Sequence, residues 1–387
     1  MSHQTPPRPA IMPASRNRKP IIVIGGSARL LALSARRGGW DPITIDYFGD
    51  TDTQNLAYKS IVIPSEIFHA DDTQILSMIN DLGLTKTTPL VYGSGIDTRP
   101  GLLKKLSNLA RVFGNTLATL QTVNTPYKFF SALEALSIPF PETRFDPPDN
   151  KNGWLSKLAN SQGGMGVMLV TRVESVSQET IYQKFIPGKV YSVLFLADGR
   201  HSSILGFNIQ WTHKYGPNDF LFSGVMSHCD LSEKIKKQIV DFINKLVEFL
   251  PLRGLNCIDF VIERGLCLVL EVNPRPSASM ALYDQDFRYG LLTEHINAVN
   301  GKLPHSPIRD RNKIQAIEII FASEQIVVQE GLIWPEWAAD TPPAATTIPK
   351  NSPVCSISAS ANNPEAVKLL LKHRKNELMN QLSEQIG

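Results

Sequence analysis

The chain has 387 residues, enough for two or three domains with sizeable cores. Its 42% hydrophobic and 19% charged residues are those of an ordinary globular protein, and a net charge of +3 on scattered basic residues is too small to imply nucleic acid, so none is expected as a partner. Four cysteines are too few for a disulfide framework, and no apolar run reaches membrane-spanning length.

Residues 1–19 carry Pro, Ser and Arg but no apolar core of a signal peptide, so they are expected to be a disordered tail. Reduced thiols in a cytoplasmic protein are the simplest reading of the cysteines. Pro20 to Ile24 is a short buried strand ending in Gly25-Gly26-Ser27, and a helical stretch from Ala28 to Arg37 stops at Gly38-Gly39. Ile43 to Ile45 is a second strand with Asp46 at its end. Pro89 to Tyr92 is another, ending in Gly93-Ser94-Gly95. Strands alternating with helices predict a parallel, doubly wound sheet over about 20–120. The Gly25-Gly26 turn with Asp46 suggests a dinucleotide fingerprint, but its spacing is not G-x-G-x-x-G. The alternatives are a glycine-rich crossover and a substrate pocket to which Asp97 and Arg99 contribute.

The next region, about 121–305, changes character. Trp154 to Lys157 reads as a strand with a lysine near its end. Gly163, Gly164 and Gly166 follow in Ser161-Gln-Gly-Gly-Met-Gly, and then comes an apolar run from Val167 to Val170. Such a loop can lay backbone N–H groups over phosphates and close as a lid, or it can be a plain hairpin turn. Tyr182 to Gly188 and Tyr191 to Leu196 are extended segments around a bend, Ala197 to Arg200 is a turn, and Ser232 to Phe249 is a helix.

A hairpin follows. Ile258, Phe260 and Ile262 alternate on one strand, and Leu268, Leu270 and Val272 on the next. Joining these sets on one face pairs 258 with 272, 260 with 270 and 262 with 268, leaving a three-residue loop from Arg264 to Leu266. The other face then sets Asp259 opposite Glu271, with Asn273 two residues on. Two carboxylates and an amide oxygen, without imidazole or thiolate, suit Mg²⁺ or Mn²⁺. Arg275, stiffened between Pro274 and Pro276, suits phosphate oxygens. The alternative is an edge hairpin whose polar face meets solvent. In the last region, 306–387, Ile314 to Ile319 and Gln325 to Gln329 read as strands. Thr341 to Pro353 reads as a proline-rich loop or linker, and Pro364 to Ser383 as a final helix.

This order of a doubly wound domain, a lysine, a glycine-rich loop, an extended hinge and a hairpin ending Glu271-x-Asn273-Pro-Arg275 resembles the ATP-grasp superfamily over about residues 20–310. Within it the chain is similar to a group described as ATP-dependent carboligases related to biotin carboxylase. Ile45 to Asp50, Val91 to Gly95, and Trp334 to Trp337 with Pro353-Val-Cys355 carry that narrower likeness. The resemblance implies an α/β and α+β architecture: a pre-ATP-grasp domain at 20–120, an ATP-grasp domain at 121–305 with its lid at about 121–195, and a small α+β domain at 306–387.

It also implies roles. Lys128 and Lys157 match the two phosphate-side lysines, and Gln162 to Gly166 the phosphate lid. Gln183, Lys184, Phe185 and Ile186 match the hinge that reads adenine. Asp259, Glu271 and Asn273 match the metal ligands, and Arg275 the cation beside an acyl phosphate. Gln183 stands where a glutamate is common, and Asp259 where many relatives have a glutamate. His213 and Lys214 are read as a further phosphate contact or as surface residues. The implied activity is an ATP- and Mg²⁺-dependent carboxylate–amine ligase that forms an acyl phosphate and releases ADP and phosphate, with a loose association to biosynthesis of one-carbon carriers of the tetrahydromethanopterin or methylofuran type. The alternative is a carboxylase-like enzyme activating bicarbonate as carboxyphosphate. Expected partners are small carboxylates and amines, not membranes, with a homodimer as one option for assembly.

Overall fold

The computed structural model describes residues 18–64, 71–159, 161–170, 180–215, 218–304 and 313–383. The expected tail lies outside these residues up to 17, and Lys19 already belongs to the first strand.

The first domain is a five-stranded sheet of order β3-β2-β1-β4-β5. Its strands are β1 (Lys19–Ile24), β2 (Trp40–Asp46), β3 (Lys59–Val62), β4 (Pro89–Tyr92) and β5 (Arg111–Phe113). Every pairing is parallel. Helices α1 (Arg29–Arg37), α2 (Thr51–Leu56), α3 (Asp72–Asn80) and α4 (Pro100–Leu106) make the crossovers. The central strand is apolar on both faces, so each face can be covered. Ile22 and Ile24 enter one core cluster, while Ile21 and Val23 enter another beneath α1. The chain order reverses between β1 and β4, where ligand crevices of open parallel sheets lie.

Helices α5 (Leu117–Asn124) and α6 (Pro126–Ala135) lead into a small antiparallel sheet. It contains β6 (Thr143–Arg144), β7 (Trp154–Leu158), β8 (Val167–Leu169) and β9 (Thr180–Lys184), in the order β6-β9-β7-β8. The large sheet has the order β14-β13-β10-β11-β12-β15-β19-β17. It is built from β10 (Val190–Asp198), β11 (Ser202–Tyr215), β12 (Asn218–Met226), β13 (Arg253–Glu263), β14 (Leu266–Asn273), β15 (Ile314–Phe321), β17 (Ala338–Ala339) and β19 (Pro353–Ala361). Strands β16 (Ile326–Val327) and β18 (Thr347–Ile348) pair separately.

Helix α7 (Glu233–Phe249) buries Ile235, Ile239, Phe242, Ile243, Leu246 and Val247 at three- and four-residue spacing against one face of this sheet. Ser232 caps it by accepting from the Ile235 amide. On the opposite face, α8 (Gly290–Val299) and α1 share a core with Leu194, Leu196 and Leu255. That shared core seats the first domain on the large sheet. Helix α9 (Pro364–Ser383) covers β15 and β19 through Val367, Leu371, Leu378 and Leu382.

Two expectations are corrected. In the region expected to be a small α+β domain, β15 joins the large sheet through β12, and β19, which was not expected as a strand, extends it. The open edge of β12 offers unpaired backbone groups, and β15 satisfies them. The hairpin register is right at 258/272 and 259/271 but slips beyond, where Phe260 pairs with Val269 and Ile262 with Cys267. The turn is two residues, Arg264 and Gly265, both at positive φ (+50° and +79°), which suits a tight hairpin turn. The spare residue becomes a bulge at Leu270. Cys267, Val269 and Val272 therefore share the core face with Ile258 and Phe260.

Candidate active site

Asp259 and Glu271 face each other across β13 and β14, on the side of the hairpin away from that core. The Asn273 Nδ2 lies 3.2 Å from Asp259 Oδ2 and 3.2 Å from Glu271 Oε1. Burial beside the Glu271 charge pushes the Asp259 carboxyl well above the usual carboxylate range. Gln210 of β11, which sequence reading missed, donates from Nε2 to Asp259 Oδ1 at 2.9 Å. It lies two strands away in the sheet order, so only the β13-β10-β11 pairing brings it there.

Two carboxylates held close together beside an amide form a donor set that a divalent ion would complete. The bulge falls immediately after the Asp259/Glu271 pair and leaves that pair in register. In this state Asn273 turns its nitrogen to the carboxylates and its oxygen to Arg275, whose Nη2 donates at 3.1 Å. Serving as an oxygen ligand would require that amide to flip.

Arg275 is buried. Its Nη1 donates to the Pro276 carbonyl at 3.1 Å, and its Nε lies 3.4 Å from Asp97 Oδ2 without hydrogen-bond geometry. Asp97, in the loop after β4, is pushed up by burial and pulled down by this guanidinium. It therefore joins the site from the first domain. Arg99 does not: it pairs with Asp72 on α3. Beneath this loop, Asn115 donates to Asn256 Oδ1 at 2.8 Å and to the Pro274 carbonyl at 2.9 Å. That amide pair fixes the backbone next to Arg275.

Lys157, on β7, donates from Nζ to Gln183 Oε1 at 2.6 Å. Burial lowers its affinity for the proton, and the charges of Glu271 and Asp259 oppose this. The small sheet thus faces the acidic pair. Gln183 is itself buried and anchored by Nε2 to Thr143 Oγ1 at 3.1 Å. A neutral amide at this position orients Lys157 without cancelling its charge. The next hinge residues run along the same edge. Lys184 Nζ stands 5.1 Å from the Trp154 ring centre, the Phe185 amide donates to the Gly153 carbonyl at 2.9 Å, and Ile186 is half-buried.

The glycine-rich loop lies over β12. The Phe222 amide donates to the Gly163 carbonyl at 2.8 Å. Gly164 is at φ +79°, and a Cβ there would sit 1.9 Å from the Phe220 carbonyl oxygen. Gln162 accepts a hydrogen bond from Ser94, in the loop after β4, so the loop touches the first domain as well. Lys128 stands exposed in the first turn of α6, and the structure does not bring it into contact with the other site residues. His213 stacks on Phe321 at 4.7 Å and Lys214 pairs with Asp219 at 3.2 Å. Both are occupied structurally and fit the surface reading.

Residues 123–279 match the ATP-grasp domain family. An uncharacterized protein of Methanocaldococcus jannaschii is 21% identical over 88% of this chain and 88% of its own. Biotin carboxylase of Campylobacter jejuni, solved as a β-γ-ATP complex, superposes with a TM-score of 0.72 at 13% identity, over 92% of this chain and 91% of that one. L-amino acid ligase of Bacillus licheniformis gives 0.70 at 14%, over 94% and 98%. The acidic hairpin, the lysine, the glycine-rich loop and the extended segment after it all lie within residues 123–279, the stretch that matches the ATP-grasp domain family, and the chain as a whole shares the fold of these two solved enzymes.

Proposed function

We propose that this protein is an ATP-dependent carboxylate–amine ligase that releases ADP and phosphate. The observation that carries the reading is the convergence of Asp259, Glu271, Asn273, Lys157 and Arg275. Acidic and cationic groups meet there at one spot beneath the glycine-rich loop. Asp259, Glu271 and, after an amide flip, Asn273 would hold Mg²⁺, which when bound neutralises phosphate charge.

The chain's own residues account for the rest. Lys157 carries positive charge on the phosphate side, and neutral Gln183 holds its amino group in place. In this reading the Gly163–Gly166 loop, seated on β12 and linked through Gln162 to Ser94, closes over the nucleotide, where its amides meet phosphate and exclude water. Arg275, held from three sides, offers its remaining N–H groups to the oxygens of the carboxylate and the incoming phosphoryl group. In this reading the carboxylate oxygen forms a bond to the γ-phosphorus as the bond to ADP breaks. The amine nitrogen then forms the C–N bond, the C–O bond to phosphate breaks, and an amine proton leaves. Residues 184–186 supply backbone groups for the adenine edge. Substrates of the one-carbon-carrier type are a first set to screen.

A second reading, activation of bicarbonate as carboxyphosphate, is supported by the likeness to biotin carboxylase, which is as close as that to the amino acid ligase. Nucleotide chromatography separates the two. ADP that requires a carboxylate, with hydroxylamine trapping a hydroxamate when amine is omitted, supports the ligase. ADP stimulated by bicarbonate alone supports the second reading, and AMP as the main product overturns both.

A further inference from the structure

A second polar centre lies where the first domain meets the chain's last third. Asp46 ends β2, Asp50 and Asp52 flank the start of α2, and Asp340 follows β17. Arg29 of α1 is the cation in the group: its Nε is 2.6 Å from Asp340 and 3.5 Å from Asp52.

Three of these carboxylates have a structural task. Asp46 accepts from the Ala28 and Gly49 amides at 2.9 and 3.0 Å. Asp52 accepts from the Asp340 and Thr341 amides at 2.9 and 3.0 Å. Asp340 accepts from Arg29, Ser356 and Ser27.

Asp50 has no such task. It is 5% exposed, and among the described residues its carboxyl takes no hydrogen bond. It occupies the N-cap of α2 without capping it, and the Thr51 amide donates instead to the Thr341 carbonyl at 2.8 Å. A carboxyl set among three others with no protein donor of its own is costly to ionise, and natural structures keep one only for a reason. Burial and the neighbouring Asp340, Asp52 and Asp46 charges push its pKa up to about 8 against the pull of Arg29, and a cation seated beside it would relieve that repulsion.

The location gives that cation a purpose. Ser27 beside Asp340 follows Gly26, whose amide donates to the Ser94 carbonyl at 2.8 Å, and Ser94 bonds the lid residue Gln162. The acidic cluster therefore borders the crevice at the carboxyl ends of β1 and β4, beside which the glycine-rich loop lies. We propose that Asp50 is the seat of a primary ammonium group carried by the small-molecule substrate, a reading that rests on the ligase function and names its amine class.

A monocation fits better than a metal ion. The oxygens of Asp52 and Asp340 are already committed to N–H and O–H donors, and Arg29 would repel a dication. Among the described residues, no three His, Cys, Asp or Glu side chains are placed to hold a metal.

The test uses the full-length protein and Asp50→Asn, a near-isosteric change that removes the group's capacity to ionise against a bound cation. The probes are the twenty proteinogenic amino acids, n-butylamine and 1,4-diaminobutane. They are read by thermal shift with an ATP analogue present and by amine-stimulated ADP release. At least one ammonium probe should raise the Tm of the native protein but not of Asp50→Asn. Its KM should rise tenfold or more in the variant while the KM for ATP stays. If Asp50→Asn fails to fold, Asp50→Ser takes its place.

A probe that shifts native protein and variant alike, or the absence of any shift in the native protein, overturns the seat. A shift lost in the variant without any amine-stimulated ADP release upholds the seat and sinks the ligase reading. Amine-stimulated release with an unchanged KM in the variant does the reverse. A Tm shift produced equally by Mg²⁺ alone at Asp50 would assign the pocket to a metal and overturn the proposal.

Discussion

His295 makes the fold sensitive to mild acid, by an amount that can be worked out. It is fully buried on α8. Its Nδ1 accepts from the Leu255 amide at 2.9 Å and its Nε2 faces the Phe113 carbonyl at 3.2 Å, which ties α8 to β13 and β5. Both bonds together require the neutral ring, and burial lowers its pKa from 6.5 to about 4. A depressed folded-state pKa means that the unfolded chain binds the proton first. The stabilisation is complete above pH 6.5 and is lost as the pH falls towards 4. Linkage gives a loss of about 2 kcal/mol between neutrality and pH 5, rising to about 3 kcal/mol at pH 4. His295→Gln keeps a donor and an acceptor but does not titrate. Urea unfolding of both proteins at pH 7 and pH 5, followed by fluorescence, isolates the difference. The variant should lose about 2 kcal/mol less than the native protein on acidification, although it starts about 1 kcal/mol weaker from imperfect bonds. Parallel pH dependences in the two proteins would refute the reasoning.

Asp259→Ala and Glu271→Ala should each abolish Mg²⁺-dependent ATP consumption while leaving unfolding midpoints unchanged or raised, because either change removes one of two carboxylates that repel each other across the hairpin; near-native turnover in both folded variants would remove the metal site. Lys157→Met should weaken ATP binding tenfold or more in calorimetry and free Gln183 from its partner; unchanged affinity would mean that the lysine does not meet phosphate. Gly164→Ala should lift the loop from β12, since its Cβ cannot coexist with the Phe220 carbonyl, and should raise the KM for ATP about tenfold. Hydrogen exchange at the Phe222 amide, which bonds the Gly163 carbonyl, should accelerate in that variant, and equal protection would show that the loop is not seated as described.

Local patterning made the parallel sheet, the glycine-rich turn and the Asp259/Glu271 pair readable. In β1 the apolar run, and in α7 the helical spacing, point to one structure at every level. The register of the hairpin failed halfway because alternation on each strand is satisfied equally by two alignments. The choice between them belongs to the turn, where Arg264 and Gly265 both accept positive φ and shorten the loop. Long-range pairings were illegible for a different reason. Nothing in residues 314–361 announces that β15 will find β12, because any strand with a free edge would serve. Gln210 and Asn115 were missed because single polar residues carry no spacing, and their meaning comes only from the partner across the fold. Asp340 and Arg29, 311 positions apart, are the extreme case.

The place of β12 in the large sheet also bears on how the chain is made. Its outer edge is closed only by β15, which begins at Ile314, and that strand is in turn covered by β19 and α9. At a ribosomal speed of roughly 5–20 residues per second, β12 emerges and waits on the order of ten seconds for its neighbour. During that interval a nascent chain presents a bare strand and the apolar side chains that α9 will later shield. The period of greatest exposure to aggregation therefore falls during synthesis, and slow codons between residues 227 and 313 would lengthen it.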